Sequence, residues 1–274
     1  MTGYPCISLT TDYGLSDGFV AACHGVIARI APAVRIIDIT HAVPPGDVRR
    51  GAAVLSQTAP YLPPAVHVAV VDPGVGTARR GVAVRTPNAL LVGPDNGLLP
   101  WAVAALGGAQ EAVELTSPEW FPTVSATFHG RDVFAPAAAR FALGAPLSEA
   151  GPAIDPGSLV RLPDPVVSAG PGRLEATVLT VDHFGNVQLA AAADLLAGLS
   201  RRVRVGTTPP PEEPERRREW GSAALRGRTF GDAPCGDLVV LADSADRAAI
   251  AVNGGRAADT LRVAAGDVVY IVDA

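Results

Sequence analysis

The sequence predicts an α/β protein: an N-terminal α/β domain with a mostly parallel central sheet, then a C-terminal all-β, barrel-like domain. Three observations carry this reading. Apolar, β-branched runs alternate with stretches of helical period through the first half of the chain. Two of those runs stop at an acidic residue followed by glycine, in Thr11-Asp12-Tyr13-Gly14 and Val71-Asp72-Pro73-Gly74. Beyond a Pro- and Gly-rich stretch at 152–171, short apolar runs are separated by turns, with little helical signal.

Taken in order, residues 5–10 predict a first strand. Ser16-Asp17 offers an N-cap for a helix to Ile30, with Phe19, Cys23, Val26, Ile27 and Ile30 on one face. Residues 35–40 are a second strand, and Gly46-Asp47 opens a second helix that runs to Ala59 and is stopped by Pro60. The apolar run from Val66 is the third strand. This β-α-β-α-β order implies parallel pairing with right-handed crossovers, which places Asp12 and Asp72 at one edge of the sheet. Residues 81–85 and 89–92 form a hairpin around Thr86-Pro87-Asn88. A helix at 98–106, a strand at 112–115 and an Ala-rich helix ending near Leu143-Gly144 follow. Residues 152–171 read as the linker, giving domains 1–160 and 172–274. In the second domain 173–181, 238–241 and 268–272 are strands, and 207–220, rich in Pro, Glu and Arg, is a solvated loop.

The chain has 274 residues, 48% hydrophobic and 18% charged, enough for one or two globular domains. All 22 basic residues are Arg, and the net charge of −5 argues against a nucleic-acid partner. No apolar run is long enough to span a bilayer, and no signal-type leader opens the chain. Cys6, Cys23 and Cys235 show neither metal-ligand spacing nor an even count, so a cytoplasmic, disulfide-free protein is expected.

The chemistry-bearing clusters are Thr11-Asp12 with Asp17, Asp72 with Arg79, His129 with Arg131, Phe184-Gly185-Asn186, and Asn253-Gly254. Two chemistries fit. Asp12, Asp72, His129 and His41 can hold a metal that activates water, although no His-x-His or Asp-x-Asp spacing supports it. Alternatively Asp72, Arg79 and His129 surround a water without a metal, Arg79 stabilising hydroxide while Asp72 and His129 handle its proton. Gly74-Val75-Gly76-Thr77 lacks the ending of a Walker sequence and is not a dinucleotide fingerprint. His24, His67 and His183 read as structural.

Five motifs occur together in one family: Thr11-Asp12-Tyr13-Gly14 with Asp17; Val71-Asp72-Pro73-Gly74-Val75-Gly76-Thr77; Gly93-Pro94-Asp95-Asn96-Gly97-Leu98-Leu99; Phe128-His129-Gly130-Arg131-Asp132; and Phe184-Gly185-Asn186. The chain resembles the S-adenosyl-L-methionine hydroxide adenosyltransferases, relatives of the fluorinase and chlorinase enzymes. The resemblance implies hydrolysis of S-adenosylmethionine to adenosine and methionine without a metal or cofactor, in a homotrimer with active sites between subunits. It implies Asp72, Arg79 and His129 as catalytic residues around the nucleophilic water. It implies Asp12 at the ribose, Asp17 at the methionine end, Phe128 in the substrate pocket, Phe184 and Asn186 on the adenine side, and Ser244 and Asn253 at late pocket positions. The halogenating relatives carry Tyr at the position of Asp72 and Ser at that of Gly130. The fluorinase has Trp at that of Gly46 and Arg at that of Ala245. A carboxylate at position 72 repels a halide and suits a nucleophile that must lose a proton, which favours hydrolysis. The rival functions are a metal-dependent phosphoesterase or nucleosidase, and a non-catalytic adenosine or S-adenosylmethionine sensor.

Overall fold

A computed structural model describes residues 3–274, the side chain of Pro214 apart, so the first two residues of the expected first domain lie outside the described residues. The chain divides into two compact units, Met1–Leu162 and Pro163–Ala274.

In the first unit the elements run β1 (Cys6–Thr11), α1 (Phe19–Ile30), β2 (Arg35–Thr40), α2 (Val48–Thr58), β3 (Ala65–Val70), β4 (Gly81–Arg85), β5 (Leu90–Pro94), α3 (Pro100–Ala105), β6 (Glu111–Glu114), α4 (Ala135–Ala142) and β7 (Ala153–Ile154). One seven-stranded sheet has the order β2-β1-β3-β5-β4-β6-β7. Its first four strands are parallel and its last three pairings antiparallel. Alternation along the strands explains the layering, because successive side chains of a strand point to opposite faces. Val66, Val68 and Val70 pack with Ile27, Phe134 and Phe141 on one face, and Ala69 and Val71 with Leu55, Leu98 and Ala102 on the other. The sheet therefore lies between helices, as a parallel sheet requires.

Several boundaries differ from the sequence reading. The first helix starts three residues after Ser16: its N-cap is Gly18, and no side chain caps it. Phe19 is 45% exposed and stacks on Tyr13 and Phe128 instead of entering the core. The second helix does use Asp47, whose carboxylate accepts from the Arg50 N–H at 2.9 Å. The stretch 152–171 holds the division between the two units, and it is structured on either side of it. Ala153–Ile154 pairs with β6, and 156–158 make a 3₁₀ turn capped by Asp155. The hydrophobic pattern missed this because a two-residue strand has no period to read.

The second unit adds β8 (Val167–Gly170), β9 (Arg173–Val181), β10 (Val187–Ala192), β11 (Arg202–Gly206), α5 (Pro214–Arg217), β12 (Ser222–Arg226), β13 (Leu238–Ala242), β14 (Arg247–Val252), α6 (Ala257–Leu261) and β15 (Val268–Asp273). The strand order β10-β14-β13-β12-β11-β15-β9-β8 closes on itself through β10 pairing with β9. Only β12 and β13 run parallel among these described strands. Leu174, Val178, Val187, Val203, Val240, Ile250 and Ile271 fill the barrel. The loop expected at 207–220 contains α5, and Arg217 donates to the carbonyls of Pro211 and Glu212. Among the described residues no helix is long and apolar enough to cross a membrane.

Candidate active site

The ends of β1 and β3 lie side by side, since Thr11 registers with Val70. Asp12 and Asp72 thus leave the sheet at the same edge, where ligands bind in parallel sheets. Two features fix the loop that carries Asp72. The Asn96 amide donates to the Val71 carbonyl at 2.8 Å, and its Oδ1 accepts from Leu98 N–H. The neighbouring Asp95, buried, accepts from Arg80 and from the Val160 N–H. The Gly93–Leu99 motif is therefore a brace behind the acidic turn. Arg80 faces the brace and Arg79 faces the site.

Arg79 joins three side chains. Its Nε donates to both Asp72 oxygens at 3.0 Å, and one Nη donates to Asp72 Oδ2 at 2.5 Å and to His129 Nδ1 at 2.7 Å. The pair is shielded, with side chains 11% and 5% exposed. The guanidinium also lies 5.4 Å from the Phe134 ring centre, a cation–π distance. Guanidinium has no lone pair to give, so Nδ1 must be the acceptor and the neutral ring carries its proton on Nε2. A proton on Nδ1 would oppose the guanidinium. Burial first, then Arg79, hold the His129 pKa below its ordinary value, against the pull of Asp72 and Asp132.

His129 reaches this position through two local devices. Gly76 has φ +77°, and a Cβ there would overlap the Ala126 carbonyl, so the turn after Asp72 can touch the segment leading to His129 only with glycine. His129 then caps a single π turn, 130–134, that continues into α4. Such irregular turns cluster at functional sites. Arg131, singled out beside His129, turns away: it donates to Asp132 at 2.6 Å and lies 4.9 Å from the Phe128 ring centre.

A cavity of about 160 Å³ opens here, lined by Asp12, Tyr13, Gly46, Asp72, Thr127 and His129 among others. Asp12 accepts from the Gly46 N–H at 2.9 Å, and φ +75° at Gly46 makes that approach possible. Gly130 leaves room for Tyr13 as well, because a Cβ there would overlap the Tyr13 hydroxyl and the ring would have to move. Tyr13 escaped the sequence reading as a site residue; its place beside Asp12 in the first motif was the available signal. Phe128 is partly buried against Tyr13 and Phe19, and Asp17 is exposed.

The structure does not gather the metal set considered above. His41 bonds Thr11 Oγ1 through Nδ1 at 2.8 Å and approaches Asp38, not the cavity. His67 is structural as expected: it bonds Ser8 at 2.7 Å, and burial lowers its pKa to about 4. His24 lies on a helix and meets Asp38 at 2.9 Å.

In the second unit Phe184 is 71% exposed at the turn between β9 and β10. Asn186 is held there by Asp182, which accepts from its N–H and its side-chain amide at 2.8 Å each. The Asn253 amide donates to the Ala233 carbonyl at 2.8 Å, and Ser244 is exposed in the turn between β13 and β14.

An α/β unit with a charged cluster at its strand ends, followed by a closed barrel, defines the class of protein. Residues 7–151 match the SAM hydroxide adenosyltransferase N-terminal domain and residues 176–270 its C-terminal domain, so the chain belongs to the SAM hydroxide adenosyltransferase family. It is 64% identical to a protein of Salinispora arenicola named (R)-S-adenosyl-L-methionine hydrolase, over 97% of each chain. A fluorinase of an Actinoplanes species is 31% identical over 68% of this chain and 71% of its own. An uncharacterised conserved protein of Thermotoga maritima, solved by crystallography, superposes with TM-score 0.86 at 36% identity, covering 97% of this chain and 99% of that one.

Proposed function

We propose that this protein hydrolyses S-adenosyl-L-methionine to adenosine and L-methionine, with a water held by Asp72, Arg79 and His129 attacking the ribose 5′ carbon. The observation that carries the reading is the single guanidinium shared between the Asp72 carboxylate and the His129 imidazole beside Asp12. The name of the 64% identical relative supports the substrate.

The chemistry asks little of the leaving side. As the O–C5′ bond forms, the C5′–S bond breaks and its electron pair neutralises the sulfonium, so methionine departs as a neutral thioether without an acid. The water must be placed in line and must lose a proton. Placement can contribute ~7–11 kcal/mol in favourable intramolecular cases. With Nδ1 taken by Arg79, His129 offers Nε2–H as a donor to the water, and Asp72 is left as the proton acceptor. Arg79 favours the hydroxide that forms. Asp12 accepts from the ribose hydroxyls, since one carboxylate has lone pairs for both. Asp17 pairs with the methionine end, Phe128 lines the pocket, and Phe184, Asn186, Ser244 and Asn253 complete the substrate contacts. No metal or cofactor takes part, and the working form is a homotrimer.

The test is turnover in ¹⁸O-labelled water with chelator present, followed by mass spectrometry. Adenosine should carry the label in its 5′ hydroxyl, and Asp72→Ala should abolish product. Unlabelled adenosine, or activity that returns only with added metal, would sink the mechanism. Sedimentation should give three times the chain mass.

A further inference from the structure

Outside the cavity, among the described residues, the structure gathers one more set of ligating groups. His24 comes from α1, Asp38 from the edge strand β2, and His41 from the residue that follows β2. One ligand atom from each lies within 4.8 Å of the others. His24 Nε2 and His41 Nε2 lie 2.9 and 3.0 Å from the same oxygen, Asp38 Oδ1. We propose that His24, Asp38 and His41 form a binding site for a divalent transition-metal ion of the zinc class.

The second observation concerns His41. Its side chain is 4% exposed, and Nε2 is a buried polar atom with no hydrogen-bond partner among the described residues, although Asp38 Oδ1 is within 3.0 Å. The nitrogen is close to the oxygen and misaligned with it. That is the relation of two ligands whose lone pairs aim at a shared ion. His41 is oriented for this from behind. Thr11 Oγ1 lies 2.8 Å from Nδ1 and can accept its proton, leaving Nε2 as the free lone pair. An outer partner on the ring nitrogen remote from the ion is the usual companion of a metal-bound histidine.

The donor set selects the ion. Two imidazoles and one carboxylate suit zinc, cobalt, nickel or copper, whereas magnesium and calcium prefer oxygen alone. Bonds of about 2.0–2.2 Å to a tetrahedral ion need ligand atoms about 3.3 Å apart, so the two N–O spacings open by only a few tenths of an ångström, while the two imidazole nitrogens, within 4.8 Å of each other, settle to the same separation. Asp38 is 40% and His24 33% exposed, which leaves an open side for water to complete the shell. The ion ties α1 to β2 and to the residue that follows it. Its role is structural, and no step at Asp72 passes through it.

Tag-free, full-length protein is stripped with chelator, desalted, and titrated with Zn²⁺ by calorimetry and with Co²⁺ by visible absorption. One ion per chain should bind with a Kd well below about 1 mM. Saturating Zn²⁺ should raise the melting temperature, because the ion binds only the folded state. His24→Ala, on a partly exposed helix face, and Asp38→Asn should each weaken binding at least about tenfold and cancel the thermal shift. His24→Ala should melt like the stripped parent. No saturable binding, or affinity unchanged in His24→Ala, overturns the proposal. Binding that survives His24→Ala and disappears in Cys235→Ser puts the ion on the exposed thiol and overturns it too.

Discussion

The two units handle their polar residues in opposite ways. In the α/β unit, Asp12, Asp72, Arg79 and His129 are distant along the chain and meet within hydrogen-bond reach or in one cavity. In the barrel, Asn186 answers Asp182 four residues away, and Asp243 accepts from the N–H groups of Ala245 and Arg247 in its own turn. Parallel strands explain the difference. Their connections all cross from one sheet edge to the other, so every strand delivers a loop to the same edge. Antiparallel barrel turns alternate between two ends, and the turns at 182–186 and 243–247 draw most of their hydrogen bonds from within, with Gln188 of a neighbouring strand also reaching Asp243.

That contrast can be broken by substitution. Asp72→Asn keeps the shape and removes the acceptor, so kcat should fall about 10²–10⁴-fold while the melt hardly moves. A loss of stability with little loss of rate would make the cluster a scaffold like the barrel turns. Next in size is the acid limb of the core. His67 is neutral in the fold with a pKa of about 4, against an unfolded value near 6.5. The unfolded chain therefore takes up this proton first. The contribution is complete above about pH 6.5 and lost as pH falls through 4, amounting to about 3 kcal/mol. Denaturant melts from pH 7 to 4 should lose that much, and less in a variant with His67→Val.

Gly130→Ser should destabilise by about 1–3 kcal/mol through overlap with the Tyr13 hydroxyl, and Tyr13→Phe should restore most of it. No rescue would show that the two groups are not in contact. The activity profile tests His129: rate should stay level down to the ordinary imidazole range and fall only below it, and that limb should vanish in His129→Gln. The smallest effect is expected in the barrel. Asp182→Ala removes two hydrogen bonds of one turn and should cost about 1–2 kcal/mol, raising KM before it touches kcat.

Legibility followed the same division. Residues 35–40 and 173–181 were readable to the residue because each is an unbroken strand run. Asp12 and Asp72 were readable as neighbours because topology alone brings strand ends together. The start of α1 was not, since no side chain caps it and Ser16-Asp17 imitates a cap. Asn96 gave no local sign of bracing Val71, a carbonyl 25 residues away. His41, weighed in one of the two chemistries with Asp12, Asp72 and His129, lies apart from them: its spacing from Asp12 is silent about which way an imidazole turns, and in the fold it meets Thr11 and Asp38.

Because Arg79 is matched by Asp72 and His129 is held neutral, those three side chains together carry no net charge. Among the described residues lining the cavity, the unbalanced charge is the carboxylate of Asp12. The chamber is thus a weak trap for cations before any reaction begins. A sulfonium entering it moves downhill, and a halide would have to climb.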